Sequence, residues 1–186
     1  GEIELLRIGE FIDILEDPEG LLTIAQARER ANQFETLATP SISLGFDQST
    51  YWLRVSLENN QAVSRDLLMR VDYAFFDDIQ LYAFDGIRQL HHYHTGDLFP
   101  YSERPIQERE FIFPITLPPN TTVEALLRIQ ANESKLVPID LLTPAVFQES
   151  TTKRFAIYGA LFGSMLIMVF YNLFIWALAR EQSYLW

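Results

Sequence analysis

YWLRVSLENN, residues 51–60, decides the fold because apolar and polar side chains alternate along it. Its odd positions are apolar: Tyr51, Leu53, Val55 and Leu57. This period of two is typical of a β-strand with one buried side and one solvent-facing side. Trp52 breaks the pattern. It lies on the expected solvent side next to Arg54, and therefore needs either a ligand or a covering segment.

Four further stretches after Pro40 show the same alternation. They read DLLMRVD, DIQLYAF, EFIFPITL and VEALLRIQA, and turn signals such as DG and PPN separate them. No helical pattern lies between these stretches. Repeated short strands of this kind predict a mainly β fold, an antiparallel β-sandwich.

The segment before Pro40 is expected to contain one or two short strands and one short helix. IELLRIGEFIDILED suits the strands, and DPEG, residues 17–20, has turn chemistry. Thr23 and Gln26 have the spacing of a capping box, which predicts that a helix begins there. We expect this N-terminal helix to cover one end or edge of the sheet.

The C-terminal part contains 25 consecutive residues without a charge, residues 155–179. That length exceeds the roughly 20 residues needed to cross a bilayer, so we predict a transmembrane helix. A buried core helix is the alternative. Gly159 and Gly163 have the small-x-x-x-small spacing of helix-packing faces, and Asn172 is expected to need a partner within a helix bundle.

Composition excludes one class of partner. The chain has 14 basic and 25 acidic residues, a net charge of −11, and no cysteine. Such a surface does not favour nucleic acid, whereas cations, neutral ligands and basic partners suit it better. The common catalytic motifs are missing, so we do not expect an enzyme.

The order and spacing of four motifs resemble a receptor family. LEDPEG, YWLRVSLEN, TGDLFPYSERP and REFIFPITLP, followed by an aromatic-rich apolar helix, are similar to bacterial seven-transmembrane receptors with diverse intracellular signalling modules. Residues 1–148 resemble their type 2 extracellular domain, and residues 155–179 resemble the first of their seven helices. On this resemblance, residues 149–154 form a linker and residues 180–186 begin the next loop or helix.

The resemblance implies a fold, a location and an output. The fold would be a jelly roll similar in shape to carbohydrate-binding modules. The N-terminal domain would lie in the periplasm, anchored in the bacterial inner membrane. Its signal would pass through the helices to a cytoplasmic histidine kinase or a cyclic-dinucleotide output.

Trp52, Arg54 and Tyr82 are candidate ligand-binding residues. An exposed indole stacks on the apolar face of a sugar ring, and a neighbouring guanidinium binds hydroxyls or a carboxylate. Tyr82 and Phe84 are expected on the non-core face of DIQLYAF, so the two strands would share one polar face with aromatic rings. In the alternative interpretation, the N-terminal segment or a loop folds over this face and buries Trp52 against the stem of Arg54, with Glu58 as ion partner.

Asp97 and Arg104 belong to a second candidate site, the stretch GDLFPYSERPIQERE. A loop that combines charges, prolines and aromatic rings beside the end of a sandwich is a plausible binding loop. An ion pair between Asp97 and Arg104 that only holds the loop together is the alternative.

Four aspartates near strand ends are candidate calcium ligands, because calcium takes six to eight oxygen ligands. They are Asp47, Asp72, Asp77 and Asp78. The run HHYH, residues 91–94, offers a zinc site or a pH-sensitive patch. In an extended strand only His92 and His94 share a face, so at most two of these histidines would meet one metal ion.

These observations favour the ligand-sensing domain of a membrane receptor. The leading ligand is a carbohydrate. A calcium sensor and a protein interaction module, including a homodimer through the sensor domain, are the alternatives.

Overall fold

The structure is a computed structural model that describes residues 5–36, 39, 42–44, 48–130 and 136–179. The chain divides into two compact units, Gly1–Pro144 and Ala145–Trp186. The strands are β1 Leu5–Arg7, β2 Asp13–Asp17, β3 Glu35–Thr36, β4 Ile42–Ser43, β5 Thr50–Asn59, β6 Arg65–Val71, β7 Asp78–Asp85, β8 Arg88–Thr95, β9 Phe111–Leu117, β10 Thr121–Gln130, β11 Leu136–Val137 and β12 Ile139–Leu142. The α-helices are α1 Ile24–Glu29 and α2 Pro144–Ala179, and 3-10 turns span Gly9–Phe11, Ala31–Gln33 and Tyr101–Glu103.

The first unit is an antiparallel β-sandwich, which confirms the predicted fold class. One sheet has six strands in the order β3-β2-β5-β10-β7-β8, and the other has four in the order β1-β12-β6-β9. Strands β4 and β11 form a separate two-stranded pair. Strand β10 lies at the centre of the larger sheet, with Leu127 opposite Leu53 on one side and opposite Leu81 on the other.

The core lies between the two sheets and follows the predicted alternation. The odd residues of β5 and β10 face this core, as do the odd residues of β6. They include Tyr51, Leu53, Val55, Leu57, Leu67, Met69, Val71, Val123, Ala125, Leu127 and Ile129. Burial of one face of each strand therefore fixes the register, because a slip by one residue would expose the whole apolar set.

The N-terminal segment contributes to both sheets. Strand β1 pairs with β12 in the smaller sheet, and after the turn Gly9–Phe11 strand β2 pairs with β5 in the larger one. The turn after β2 is closed by Asp17, whose carboxylate accepts hydrogen bonds from the backbone N–H groups of Leu21 and Leu22.

Helix α1 begins at the predicted capping box. Gln26 N–H donates to the Thr23 hydroxyl oxygen, and the Gln26 side chain accepts from the Thr23 backbone N–H. The helix packs on the outer face of the larger sheet, not on an end or edge. Its Ala27 joins a small apolar cluster with Leu15, Trp52, Phe84 and Leu126.

The second unit contains most of α2, which is long and apolar enough to cross a membrane. The helix begins at Pro144, so residues 149–154, predicted to be a linker, are helical instead. Thr143 followed by Pro144 has the preferred residue types for an N-cap and a first helical position, which explains the early start. Lys153 also pairs with Glu149 one turn earlier, at 2.7 Å.

Candidate functional site

Trp52 does not lie on a solvent-facing surface, and the prediction of an exposed indole is wrong. Its side chain is 1% exposed, because α1 and the segment that follows it cover this part of the sheet. Phe84, expected on the same polar face, is buried in the same cluster. The structure agrees with the alternative interpretation, in which the N-terminal segment buries Trp52.

Arg54 is held within the same cover. Its guanidinium donates to the Asp13 carboxylate at 2.9 Å and to the Ala31 carbonyl at 3.2 Å, and lies 4.3 Å from the centre of the Phe34 ring. The predicted ion partner, Glu58, is replaced by Asp13, because β2 pairs with β5 and brings Asp13 opposite Arg54. Burial raises the pKa of Asp13, but hydrogen bonds from Thr36 and Arg54 together with the Arg54 charge lower it more, so the net pKa is lowered.

Tyr82 does lie on the outer face of the larger sheet, but its ring has partners on both sides. It stacks on His92 with ring centres 4.4 Å apart, and its centre is 6.2 Å from that of Trp52. Its hydroxyl donates to the Gln80 side chain at 2.6 Å. Burial raises the pKa of Tyr82. The half-buried ring therefore offers little free surface to a ligand.

The histidine run divides between the two faces of β8, as predicted. His91 Nε2 accepts a hydrogen bond from Thr116 N–H at 3.2 Å, which joins β8 to β9 of the other sheet. His94 lies on the outer face, 2.6 Å from Asp78, and His92 stacks on Tyr82. Burial, followed by the charge of His94, lowers the pKa of His92.

Those of the four predicted calcium ligands that the structure describes do not form a cluster. Asp78 already contacts Arg128 at 2.8 Å, His94 at 2.6 Å and Gln80 at 3.0 Å. Asp72 is exposed on the loop after β6, and Asp47 lies outside the described residues. Among the residues that the structure describes, no three histidine or acidic side chains form a metal-binding group.

Asp97 and Arg104, in contrast, share one pocket. It lies at the end of the sandwich where β6 ends and β9 begins, and it is formed by the loops 72–77 and 96–110. We call it the loop pocket. Its volume is about 380 Å³, and its lining residues are Ala74, Phe75, Asp97, Tyr101, Arg104 and Arg109.

Arg104 fixes the shape of the loop pocket through backbone contacts. Its Nη1 donates to the carbonyl oxygens of Glu108 and Arg109, at 2.8 and 2.7 Å. The guanidinium also lies 5.3 Å from the centre of the Tyr101 ring and 4.5 Å from that of Phe111. The predicted ion pair between Asp97 and Arg104 is not formed. The Arg104 guanidinium binds backbone carbonyl groups of its own loop instead.

Gly96 joins the two loops of the pocket. A Cβ atom at this position would lie 2.1 Å from the carbonyl oxygen of Asp77, which is closer than any real contact. The close approach allows Asp97 N–H to donate to the Phe76 carbonyl at 2.7 Å. The GD pair of the sequence motif therefore has a structural reason: only glycine lets the two backbones meet here.

The open surface of the loop pocket is aromatic and charged, with Asp97 and Arg109 both exposed in its lining. Phe75 and Tyr101 are each 52% exposed, and Leu98 nearby along the loop is 78% exposed. Arg109 is also exposed and makes no ion pair with any residue that the structure describes. Rings, an unpaired guanidinium and an exposed carboxylate at one opening are suited to a ligand that has a flat apolar face and both hydrogen-bond donors and acceptors.

Sequence reasoning missed Phe75 as a partner of the second loop. The only signal for it was the group of three aromatic residues in YAFF, between two strands and followed by Asp77 and Asp78. A solvent-exposed ring in a loop is a stronger indication of binding than a ring at an alternating strand position, because a strand face can be covered by another element.

The helix-packing candidates are described within α2 alone. A Cβ atom at Gly159 or Gly163 would meet no other group within 4 Å. The Asn172 side-chain amide donates to the Met168 carbonyl at 2.8 Å, so its own helix provides one partner. Interhelical packing of these residues stays a prediction.

The described chain thus combines an antiparallel sandwich that has an open loop pocket with an apolar helix long enough to cross a membrane. The family model for 7TMR-DISM extracellular 2 matches residues 9–143. The chain therefore belongs to the type 2 extracellular domains of seven-transmembrane receptors with diverse intracellular signalling modules, and α2 fits the first transmembrane helix of such receptors.

No curated protein sequence matches the chain significantly. Among solved structures, a GH115 4-O-methyl-α-glucuronidase with specificity for decorated arabinogalactans is similar at a TM-score of 0.36 and 15% identity, covering 76% of this chain and 17% of that one. A structure of carbohydrate-binding modules from the β-sandwich superfamily has a TM-score of 0.30 and 12% identity, covering 71% of this chain and 51% of that one. An exo-β-1,3-galactanase from Phanerochaete chrysosporium has a TM-score of 0.24 and 10% identity, covering 54% of this chain and 25% of that one. All three TM-scores lie below 0.5, so none of these structures identifies a ligand.

Proposed function

We propose that the sandwich is a non-enzymatic sensor that binds a carbohydrate in the loop pocket. The observation that supports this is the exposure of Phe75 and Tyr101 beside Arg109 and Asp97 at a single opening. A pyranose ring has an apolar face that stacks on an aromatic side chain. Its hydroxyl groups accept from a guanidinium and donate to a carboxylate.

The site proposed here differs from the one that the alternating strands predicted. Trp52 and Arg54 are enclosed by the chain's own N-terminal segment, whereas Asp97 and Arg104 line an open pocket. In this proposal Arg104 positions Tyr101, and the free donors at the opening belong to Arg109. Asp97 is the acceptor for a sugar hydroxyl.

Occupancy would be transmitted through β12 to the membrane. The Pro138 carbonyl, just before β12, accepts from Asp72 N–H in a loop that lines the pocket region, and a single residue, Thr143, separates β12 from α2. A ligand that binds one arrangement of the loops more tightly shifts the equilibrium toward it. The proposed receptor lies in the bacterial inner membrane, with the sandwich in the periplasm and a cytoplasmic histidine kinase or cyclic-dinucleotide output.

The test is binding of a panel of neutral and acidic glycans to the chain in lipid nanodiscs, with empty nanodiscs as reference and calcium as a separate arm. For a glycan that binds, Phe75→Ala and Tyr101→Ala should each weaken binding about 5- to 10-fold, because each removes one stacking ring. Phe11→Ala is the matched control, since Phe11 is a similarly exposed aromatic residue, 62% exposed, that does not line the loop pocket. It should leave glycan affinity unchanged.

Other outcomes would contradict the proposal in different ways. Equal loss of affinity in the Phe11 control would show that the glycan does not bind at the loop pocket. Stabilisation by calcium alone, without any glycan, would favour a calcium sensor. Concentration-dependent dimerisation that is lost with Tyr101→Ala, without binding of any glycan, would make the same pocket a homodimer interface.

A further inference from the structure

The sandwich has a second opening at the opposite end, where β5 and β9 end and β6 begins. This cleft, of about 230 Å³, lies between the two sheets. Its lining is mainly apolar and includes Leu6, Leu57, Leu67 and Leu117, together with the charged residues Glu58 and Arg65. A cavity of roughly 150 Å³ lined by such side chains is enough to bind benzene, so the volume of this cleft is sufficient for a small apolar group.

The cleft is open because the N-terminal segment pairs with only part of strand β5. Strand β2 pairs with β5 only from Thr50 to Arg54. On the N-terminal side of β2, the turn Gly9–Phe11 connects it to β1, which belongs to the smaller sheet. Beyond Arg54, that side of β5 pairs with no strand among the described residues.

Of the two charged side chains that line the cleft, Glu58 is exposed and Arg65 is directed inward. The odd residues of β6 face the core, and Arg65 is the first of them, so its side chain points toward the space between the sheets. Arg65 is half-buried and makes no ion pair within the described part of the chain. Its position differs from that of Arg54, Arg70 and Arg128, which each pair with an aspartate at 2.9 Å or less.

An unpaired guanidinium at the entrance of an apolar space defines a complementary ligand. Burial of its apolar part removes hydrocarbon from water, and an anionic head group at the mouth pairs with the fork of the guanidinium. We propose that the cleft binds a carboxylate with a short hydrocarbon chain, with the chain between Leu57, Leu67 and Leu117 and the carboxylate on Arg65. This site is independent of the loop pocket.

The test uses hexanoate, hexanol and hexylamine as probes, which share one chain and differ in the head group. Binding to the chain in lipid nanodiscs is measured by calorimetry, with empty nanodiscs subtracted to remove partitioning into lipid. Hexanoate should bind with one site per chain, at least 10-fold more tightly than hexanol, and hexylamine should not bind.

Two variants test the two halves of the site. Arg65→Gln should weaken hexanoate binding about 10-fold and make it similar to hexanol. Leu6→Trp, at a partly exposed position in the cleft mouth, should reduce binding of both probes about 5-fold or more by filling the space. Arg109→Gln and Leu98→Trp are the matched controls in the region of the loop pocket, and neither should change hexanoate binding.

Circular dichroism of each variant confirms that the sandwich is folded. If Arg65→Gln does not fold, the comparison of the three head groups on the unmodified chain still decides the question. Heat of hexanoate injection equal to that of empty nanodiscs would overturn the proposal. Equal affinity for hexanoate and hexanol would also overturn it, because it would leave Arg65 without a role.

Discussion

The covered face around Trp52 and the loop pocket contain the same kinds of side chain in opposite states. On the covered face, the arginines lie over rings and pair with carboxylates: Arg28 lies 4.1 Å from the Phe84 ring centre and 2.9 Å from Glu124. In the loop pocket, Phe75 and Tyr101 remain half-exposed and Arg109 makes no ion pair with a described residue. Residue type alone therefore does not mark a binding site. The same kinds of side chain are buried where another segment of the chain covers them, and they stay exposed where no segment does.

The largest effect that tests this comparison is expected for Trp52→Ala. Removal of a buried indole leaves a cavity between α1 and the sheet, so we expect a loss of about 3–5 kcal/mol in the free energy of unfolding. Chemical denaturation of the chain in nanodiscs, followed by circular dichroism, measures it. Phe75→Ala is the exposed aromatic control and should change the stability by less than about 0.5 kcal/mol.

Ligand affinity is the second observable for Trp52→Ala. Variant protein that is still folded should bind a loop-pocket ligand as tightly as the unmodified chain, because Trp52 does not line that pocket. If the Trp52→Ala variant has normal stability but no longer binds glycan, Trp52 is a ligand-binding residue after all.

The fold was predictable where one residue property repeats along the strand. Alternation placed the inward residues of β5 and β10 correctly, and the Thr23 and Gln26 spacing located the start of α1. The docking place of α1 was not predictable, because it depends on Ala27 meeting Trp52 from a distant part of the chain. Alternation shows which side chains share a face, but it does not show what lies above that face.

The same limit applies to the candidate sites. Asp97 and Arg104 were predicted from one loop, and the structure places them in one pocket, but Phe75 comes from a different loop. Asp13 is 41 residues from Arg54 in sequence, so their pairing follows only from the register of β2 on β5. Local motifs therefore found single elements of each site, and the partners across the sheet needed the fold.

An intermediate effect is expected for Gly96→Ala, which disturbs the open region without changing a ring or a charge. The added methyl group collides with the Asp77 carbonyl, so the two loops must separate, at a cost of about 1–3 kcal/mol. Ligand affinity at the loop pocket should fall, and hydrogen exchange of the amide of Asp97 should accelerate. Ser102→Ala in the same loop is the control. Unchanged exchange and unchanged affinity in Gly96→Ala would show that the loops do not need this contact.

The smallest effect concerns the ion pair that closes the covered face, and it depends on pH. The pKa of Asp13 is lowered in the folded chain, so the folded state favours the carboxylate more than the unfolded state does. Its contribution to stability is therefore complete above the ordinary value of 3.8 and is lost as the pH falls through the lowered pKa. Asp13→Asn should reduce stability at pH 7 by no more than about 1 kcal/mol, since the pair is partly exposed.

Denaturation of Asp13→Asn and of the unmodified chain between pH 7 and pH 3 measures this effect. The difference between the two should be constant from pH 7 to about pH 5 and should then narrow, because protonation removes the charge that asparagine lacks already. Glu29→Gln, at an exposed position at the end of α1, is the control for removal of a carboxylate that makes no ion pair with a described residue. A stability difference that persists unchanged to pH 3 would mean that Asp13 acts through the shape of its contact with Thr36 and not through its charge. The arginines of the covered face would then be held mainly by stacking on Phe34 and Phe84, and the contrast with Arg109 would rest on the rings alone.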